Sequence, residues 1–375
     1  MKFFTKYVYI IILILKLILI FSSIIFIISL IKVTNIKIGI IGLDHSQNIG
    51  NNLLKYAIYI KLKEIFLEPY IIGFRYKNSS INFLNSTTNV KIIKNFTEIK
   101  ENQYDILMVN SDQTWRRWDY HFYDIAFLKF AKNWNIRKFV YGASLGLDNW
   151  NFTKKDEEIA KILLKNFSGI SVREKGSIKL INENLGIKPF LVLDPTLLID
   201  KKYYIQIIKN YKTKFNNTQE FIFIYKIEVV EEIEEMDNFI NNVTAKFDIK
   251  LYNISKDDND YIQKFIFGIY YSKAVITNSY HGVLFSIIFN KPFIAFNFKS
   301  KGGERFNTLK EIFNLKNRIY QKNQKPDINL INKKLYINNK ILKYLKRQSI
   351  KFLKINLNIK NLLYNKIIKS NLNIK

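Results

Sequence analysis

Residues 36–43 read IKIGIIGL. Branched and apolar residues run almost without a break, the pattern of a strand buried on both faces of a parallel sheet. A polar turn at 44–52 (DHSQNIGNN) follows, and residues 51–65 then read as a helix. Strand, turn and helix in that order form the opening unit of an α/β fold. The same alternation continues downstream. Further strands are predicted at 70–74, 105–110, 138–143, 169–173 and 190–193, with helices near 155–165 and 176–185.

The stretch 201–219 is polar and rich in Asn and Lys, and the domain boundary is placed there. A second α/β unit follows, with strands at 221–225, 274–277 and 293–296 and helices at 228–247 and 282–289. Two Rossmann-like domains, 36–200 and 201–320, are therefore expected to face a cleft. Strand ends and helix N-termini would point into it.

Two flanking segments lie outside this pattern. Residues 7–31 are apolar or aromatic except Lys16, Ser22, Ser23 and Ser29. As a helix they would span roughly 37 Å, enough to cross a bilayer with some tilt. Residues 1–35 are accordingly read as a hydrophobic membrane anchor, against the alternative of a start codon placed too early. Residues 321–375 form a basic tail. There Ile341, Leu342, Leu345, Phe352 and Leu353 interleave with Lys343, Lys346, Arg347, Lys351 and Lys354. That is the pattern of an amphipathic helix, lying either on a membrane surface or against the domains.

The 375 residues carry 59 Lys+Arg against 31 Asp+Glu, a formal charge of +28. Residues 316–375 hold 16 of the cations and one acid, Asp327, so +15 sits in the tail and +13 is spread over the other 315 residues. A chain-wide nucleic-acid surface is not indicated, and no nucleic-acid partner is expected. With no cysteine, neither a disulfide framework nor a thiolate site is possible, and three histidines make a histidine-rich metal site improbable. No metal and no cofactor are expected.

Five segments carry polar or small residues where α/β proteins hold ligands. The 44–52 turn offers Asn48 and Gly50 beside free helix-start N–H groups suited to an anion, with His45 nearby; it also reads as an ordinary capped turn. Residues 110–115 (NSDQTW) place Ser111, Asp112 and Gln113 at a strand end. Residues 141–146 (YGASLG), with Ser144, permit close backbone approach. In 171–174 (SVRE), Arg173 is either an anion contact or half of a structural ion pair. Residues 277–282 (TNSYHG) set Ser279 and His281 between a strand and a helix, and Arg305 follows in 302–306 (GGERF).

Taken in order, NIGN, YDILMVNSDQTW, YGASLG, GISVREKGS, VLDPTLL, ITNSYHGVLFSIIFNKPFIAF and RFNTLKEIF resemble the polysaccharide pyruvyl transferase family over residues 36–318. The resemblance implies a two-domain, glycosyltransferase-B-like enzyme. Its donor substrate would be phosphoenolpyruvate, and the pyruvate would pass to two hydroxyls of a glycan or lipid-linked sugar as a ketal. That donor carries phosphate and carboxylate, which Arg173 and Arg305 are expected to bind. His281 is the candidate acid, base or phosphate contact, and Asp112 would orient or deprotonate the acceptor. Ser279 stands where some members carry arginine, and Asn51 where an acid is often found. Two alternatives are a glycosyltransferase-B-type enzyme using a nucleotide-sugar and a membrane-tethered, non-enzymatic binder of anionic polymers. The expected location is at a membrane, with the catalytic domains cytoplasmic.

Overall fold

The computed structural model describes residues 36–43, 48–65, 67–74, 78–93, 95–117, 121–209, 211, 220–227, 233–247, 249–254, 260–298, 303–362 and 364, with Lys16, Leu17 and Phe21. The expected N-terminal anchor and His45 therefore lie outside the described residues, apart from those three positions. Among the described residues no helix is long and apolar enough to cross a membrane.

The first unit runs β1 (Lys37–Ile41), α1 (Ile49–Lys63), β2 (Glu68–Phe74), α2 (Asn78–Thr87), β3 (Val90–Ile93), β4 (Ile106–Val109), α3 (Phe122–Phe127), β5 (Arg137–Ala143), α4 (Lys154–Leu164), β6 (Gly169–Val172), α5 (Lys175–Leu185) and β7 (Phe190–Leu191). Its sheet has the order β3-β2-β1-β4-β5-β6-β7, and every pairing is parallel. The cause is visible in the strands: Ile38, Ile40, Ile41 and all four residues of β4 are buried, so helices must cover both faces.

The second unit runs α6 (Lys201–Ile208), β8 (Phe221–Tyr225), α7 (Ile233–Phe247), β9 (Lys250–Asn253), α8 (Tyr261–Tyr271), β10 (Ala274–Thr277), α9 (Tyr280–Ile288), β11 (Phe293–Phe296), α10 (Glu304–Phe313) and β12 (Ile319–Tyr320). Its parallel sheet has the order β12-β11-β10-β8-β9. The polar stretch of the expected domain boundary begins as α6, capped by the Asp200 side chain. Both sheets reverse strand order once, between β1 and β4 in the first and between β8 and β10 in the second. In such sheets the crevice at the reversal is where a ligand sits.

One apolar cluster is continuous from the first sheet to the second through Leu53, Tyr56, Tyr204, Phe265, Leu284 and Phe285. The tail returns to the first unit as α11 (Asn339–Leu357). Phe352 packs against Phe139, Tyr141 and Phe190 with centroids 6.4, 6.2 and 5.5 Å away. The Leu193 N–H donates to Ser349 Oγ at 2.8 Å, and Ser168 Oγ donates to Asn356 Oδ1 at 3.0 Å. Of the two readings of the amphipathic tail, the packed one describes Leu342, Leu345, Phe352 and Leu353, while Ile341 stays exposed. Lys340, Lys343, Arg347, Lys351 and Lys354 remain exposed on the outside.

Candidate functional site

Where the two reversals meet, a cavity of about 180 Å³ opens. Its wall comes from five strand ends. Leu43 and Asn48 follow β1, Asp112, Gln113 and Arg116 follow β4, and Ile227 follows β8. Asn278, Ser279, Tyr280 and His281 follow β10, and Arg305 and Phe306 follow β11. Two helix N-termini approach it from opposite units. Asn48 Oδ1 accepts from the Asn51 N–H at the start of α1, and Ser279 Oγ accepts from the Gly282 N–H at the start of α9. With Arg116 and Arg305 beside them, these ends make a site for negative charge.

Arg173 lies behind that wall, and its placement corrects the expected substrate contact. Its side chain is fully buried, with Nη1 donating to Asp194 Oδ2 at 2.7 Å and Nη2 to Asp112 Oδ1 at 2.8 Å. Both forks are spent on carboxylates, and the residue does not line the cavity. Burial opposes its charge, yet Asp112 and Asp194 hold the guanidinium above its ordinary range. The Tyr280 ring stands between the two expected arginines, 4.9 Å from the Arg173 guanidinium and 5.3 Å from that of Arg305. Arg305 does reach the cavity; burial, then the Arg173 charge, lowers its pKa.

Asp112 sits at φ 95°, a conformation that a side-chain-bearing residue rarely adopts. It is held there by backbone bonds: its carbonyl accepts from the Ser144 N–H at 2.8 Å and the Thr114 N–H at 2.7 Å. The result aims the carboxylate between Arg173 and the cavity. Burial disfavours ionisation, but Arg173, His281 and Arg305 keep the carboxyl below the usual range. Asp112 is therefore a carboxylate that accepts at neutral pH and cannot donate. Strain of this kind gathers at functional sites.

His281 is enclosed. Burial, with the Arg173 and Arg305 charges, pushes its imidazole down to about 4, against the pull of Asp194 and Asp112. The ring is neutral at pH 7, with one nitrogen a donor and the other a base. Nε2 lies 3.8 Å from Asp194 Oδ2 and has no hydrogen-bond partner among the described residues. On its other side the ring fills space that only a glycine leaves. A Cβ on Gly50 would fall 1.9 Å from Nδ1.

The other expected residues divide. Gln113 lines the cavity, as do Asn48 and Ser279. Ser111 and Ser144 do not: Ser111 Oγ donates to the Gly142 carbonyl at 2.7 Å, and Ser144 Oγ accepts from the Gly146 N–H at 3.1 Å. They fasten the loops that carry Asp112 and Gln113. Arg116, Asn278 and Tyr280 on the wall, and Asp194 behind it, had no expected role, although the motifs TNSYHG and VLDPTLL contain three of them. For Asp194 the visible signal, an acid before Pro195, is that of a helix cap, and the side chain does cap Thr196.

A family model described as polysaccharide pyruvyl transferase matches residues 48–300. No curated protein matches the chain. Among solved structures, the UDP-GlcNAc 2-epimerase from Methanocaldococcus jannaschii aligns with a TM-score of 0.53 and 13% identity, covering 85% of this chain and 99% of that one. The UDP-GlcNAc 2-epimerase from Neisseria meningitidis, bound to UDP-GlcNAc, aligns at 0.50 with 10% identity, over 89% and 99%. An Arabidopsis thaliana protein complexed with UDP-L-rhamnose aligns at 0.50 with 8% identity, over 88% and 98%. At such identities the likeness is one of fold, a pair of parallel α/β units.

Proposed function

The chain belongs to the polysaccharide pyruvyl transferase family, matched over residues 48–300, and from that premise we propose that it moves pyruvate from phosphoenolpyruvate onto two hydroxyls of a glycan or lipid-linked sugar. The observation that carries the reading is the convergence of Arg116, Arg305 and two helix N-termini on one small cavity. Phosphoenolpyruvate has two anionic groups, and each needs charge-assisted donors. The cavity, about 180 Å³, is well below the roughly 300–1,000 Å³ of pockets for drug-sized ligands. That size favours a compact donor over a nucleotide-sugar, although the fold neighbours include structures with UDP-sugars bound.

In the reaction the first sugar hydroxyl adds to the carbon bearing the phosphate, and its proton ends on the methylene carbon, which becomes methyl. The second hydroxyl displaces phosphate, which leaves with the other proton. Asp112, an ionised carboxylate on the wall, and neutral His281 are the groups placed to take and pass protons. No cofactor enters this scheme. Association with a membrane, with the catalytic units on the cytoplasmic side where the donor is made, rests on the apolar run at 7–31 and the basic outer face of α11.

Thermal unfolding with added phosphoenolpyruvate tests the donor. A rise in midpoint that follows donor concentration, lost in Arg305→Ala, is the expected outcome. Stabilisation by UDP-sugars with none by phosphoenolpyruvate would replace this reading with a nucleotide-sugar transferase. Stabilisation by neither would leave the anion-binding alternative.

A further inference from the structure

His281 belongs to the second unit, yet everything that fixes its ring on the two nitrogen sides comes from the first. Asp194 Oδ2 is 3.8 Å from Nε2, and Gly50, in the first turn of α1, lies against Nδ1. Asp194 is itself immobilised: Oδ1 accepts from the Thr196 N–H at 3.0 Å and Thr196 Oγ1 at 2.7 Å, while Oδ2 takes Arg173 Nη1 at 2.7 Å. A buried nitrogen without a partner is costly, so Nε2 has reason to turn its proton to the nearest acceptor. Among the groups near it, Asp194 Oδ2 is that acceptor.

We propose that Asp194 is the positioning residue of His281: it holds the proton on Nε2, so that Nδ1 is the ring nitrogen left as the base. The carboxylate acts through the imidazole and does not touch the substrate, as acidic partners do in histidine-based sites elsewhere. Gly50 is the second half of the device, because only a residue without Cβ lets the ring reach Asp194. The arrangement also joins the units chemically, since the acid–base group of one takes its tautomer from a carboxylate of the other. This role rests on the proposed transfer reaction for its consequence, but not for its geometry.

The test reads the ring nitrogens directly. In ¹⁵N spectra of the full chain, with His281 assigned by comparison with His281→Gln, the wild-type ring is expected as the Nε2–H tautomer. Asp194→Asn should replace this with a mixture or with the Nδ1–H form. A ring that is Nδ1–H in the wild type, or unchanged in Asp194→Asn, overturns the proposal whether or not phosphoenolpyruvate is the donor.

Kinetics supply the second arm. Asp194→Asn should lower kcat about 100-fold with KM for phosphoenolpyruvate changed little. The charged and titratable groups facing the ring are Asp194, Asp112, Arg173, Arg305 and Tyr280. Removing the Asp194 charge leaves the two arginines dominant and moves the acidic limb of the kcat profile to lower pH. A merely structural role would leave that limb in place. Should Asp194→Asn not fold, Gly50→Ala decides: alanine suits the helix, its methyl displaces the ring, and kcat should fall similarly in a folded protein. Wild-type kcat in Gly50→Ala would sink the idea. Loss of the pyruvyl transfer reading alone would show as a wild type that forms no ketal yet keeps the tautomer pattern.

Discussion

At the residue scale, the site is governed by which groups are charged. His281 titrates near 4 in the folded protein against an ordinary 6.5, because burial outweighs Asp194. Between those values the unfolded chain binds the proton and the folded one does not, so stability falls as pH drops from about 6.5 to 4. The loss from this residue should be about 3 kcal/mol, from the conversion of about 1.4 kcal/mol per tenfold. Urea midpoints measured at intervals from pH 7 to 4 should show it, and His281→Gln should flatten that part of the curve. An unchanged slope in the variant would place the acid sensitivity elsewhere. What was legible here follows from chain position. His281, Arg305, Asp112, Gln113, Asn48 and Ser279 come just after buried strands, and all reach the cavity. Arg173 comes after one too, but its role depends on Asp112 and Asp194, 61 and 21 residues away. No local pattern announces that pairing.

At the element scale, the contact between α5 and α10 is an unusual joint. Glu174, the cap residue of α5, makes no side-chain cap bond, and the work is done from the other unit. Glu304 Oε1 accepts from the Gly176 N–H at 3.1 Å, and Thr308 Oγ1 from the Lys175 N–H at 3.0 Å. Gly176 is required, since a Cβ there would lie 2.5 Å from Glu304 Cγ. Glu304→Ala should therefore cost about 1–2 kcal/mol in urea unfolding, as loss of a helix cap does. Lys175→Ala, which breaks an exposed pair with Glu311, should cost no more than about 0.5 kcal/mol. Equal costs would mean that the surface pair, not the cap, joins the elements. Strands with continuous apolar runs were legible at this scale, β1, β4, β8, β10 and β11 among them. The edge strand β9 was not, because KLYN is only half-buried and carries no such run. α8 escaped for the opposite reason. Its sequence YIQKFIFGIYY is aromatic and branched, strand-like in composition, and its burial between α1, α6 and α9 comes from tertiary packing.

At the scale of the whole molecule, the charge asymmetry meets the architecture in α11. The helix carries Lys340, Lys343, Lys346, Arg347, Lys351 and Lys354 and no acid. Its buried side closes the first unit through Phe352, Leu353 and Leu357, so the helix is a structural member before it is anything else. The outward side presents the lysines with Ile341, Tyr344 and Ile355 exposed among them. The proposed membrane association then makes a separable prediction, because the two faces do different jobs. Reversing Lys343, Arg347 and Lys351 to Glu should leave stability within about 0.5 kcal/mol, since these side chains are solvated. Each basic residue near an anionic surface contributes about 1 kcal/mol, so binding to phosphatidylserine vesicles should weaken by at least about 100-fold. The apolar run at 7–31 would hold the protein to vesicles of any charge. The readout is therefore the difference in flotation between anionic and zwitterionic vesicles of equal size. Phe352→Ala supplies the converse, costing about 3–5 kcal/mol of stability through a lost core aromatic. If the charge reversal leaves the anionic preference intact, the basic tail is a solvated structural face, and attachment must come from the N-terminal segment alone.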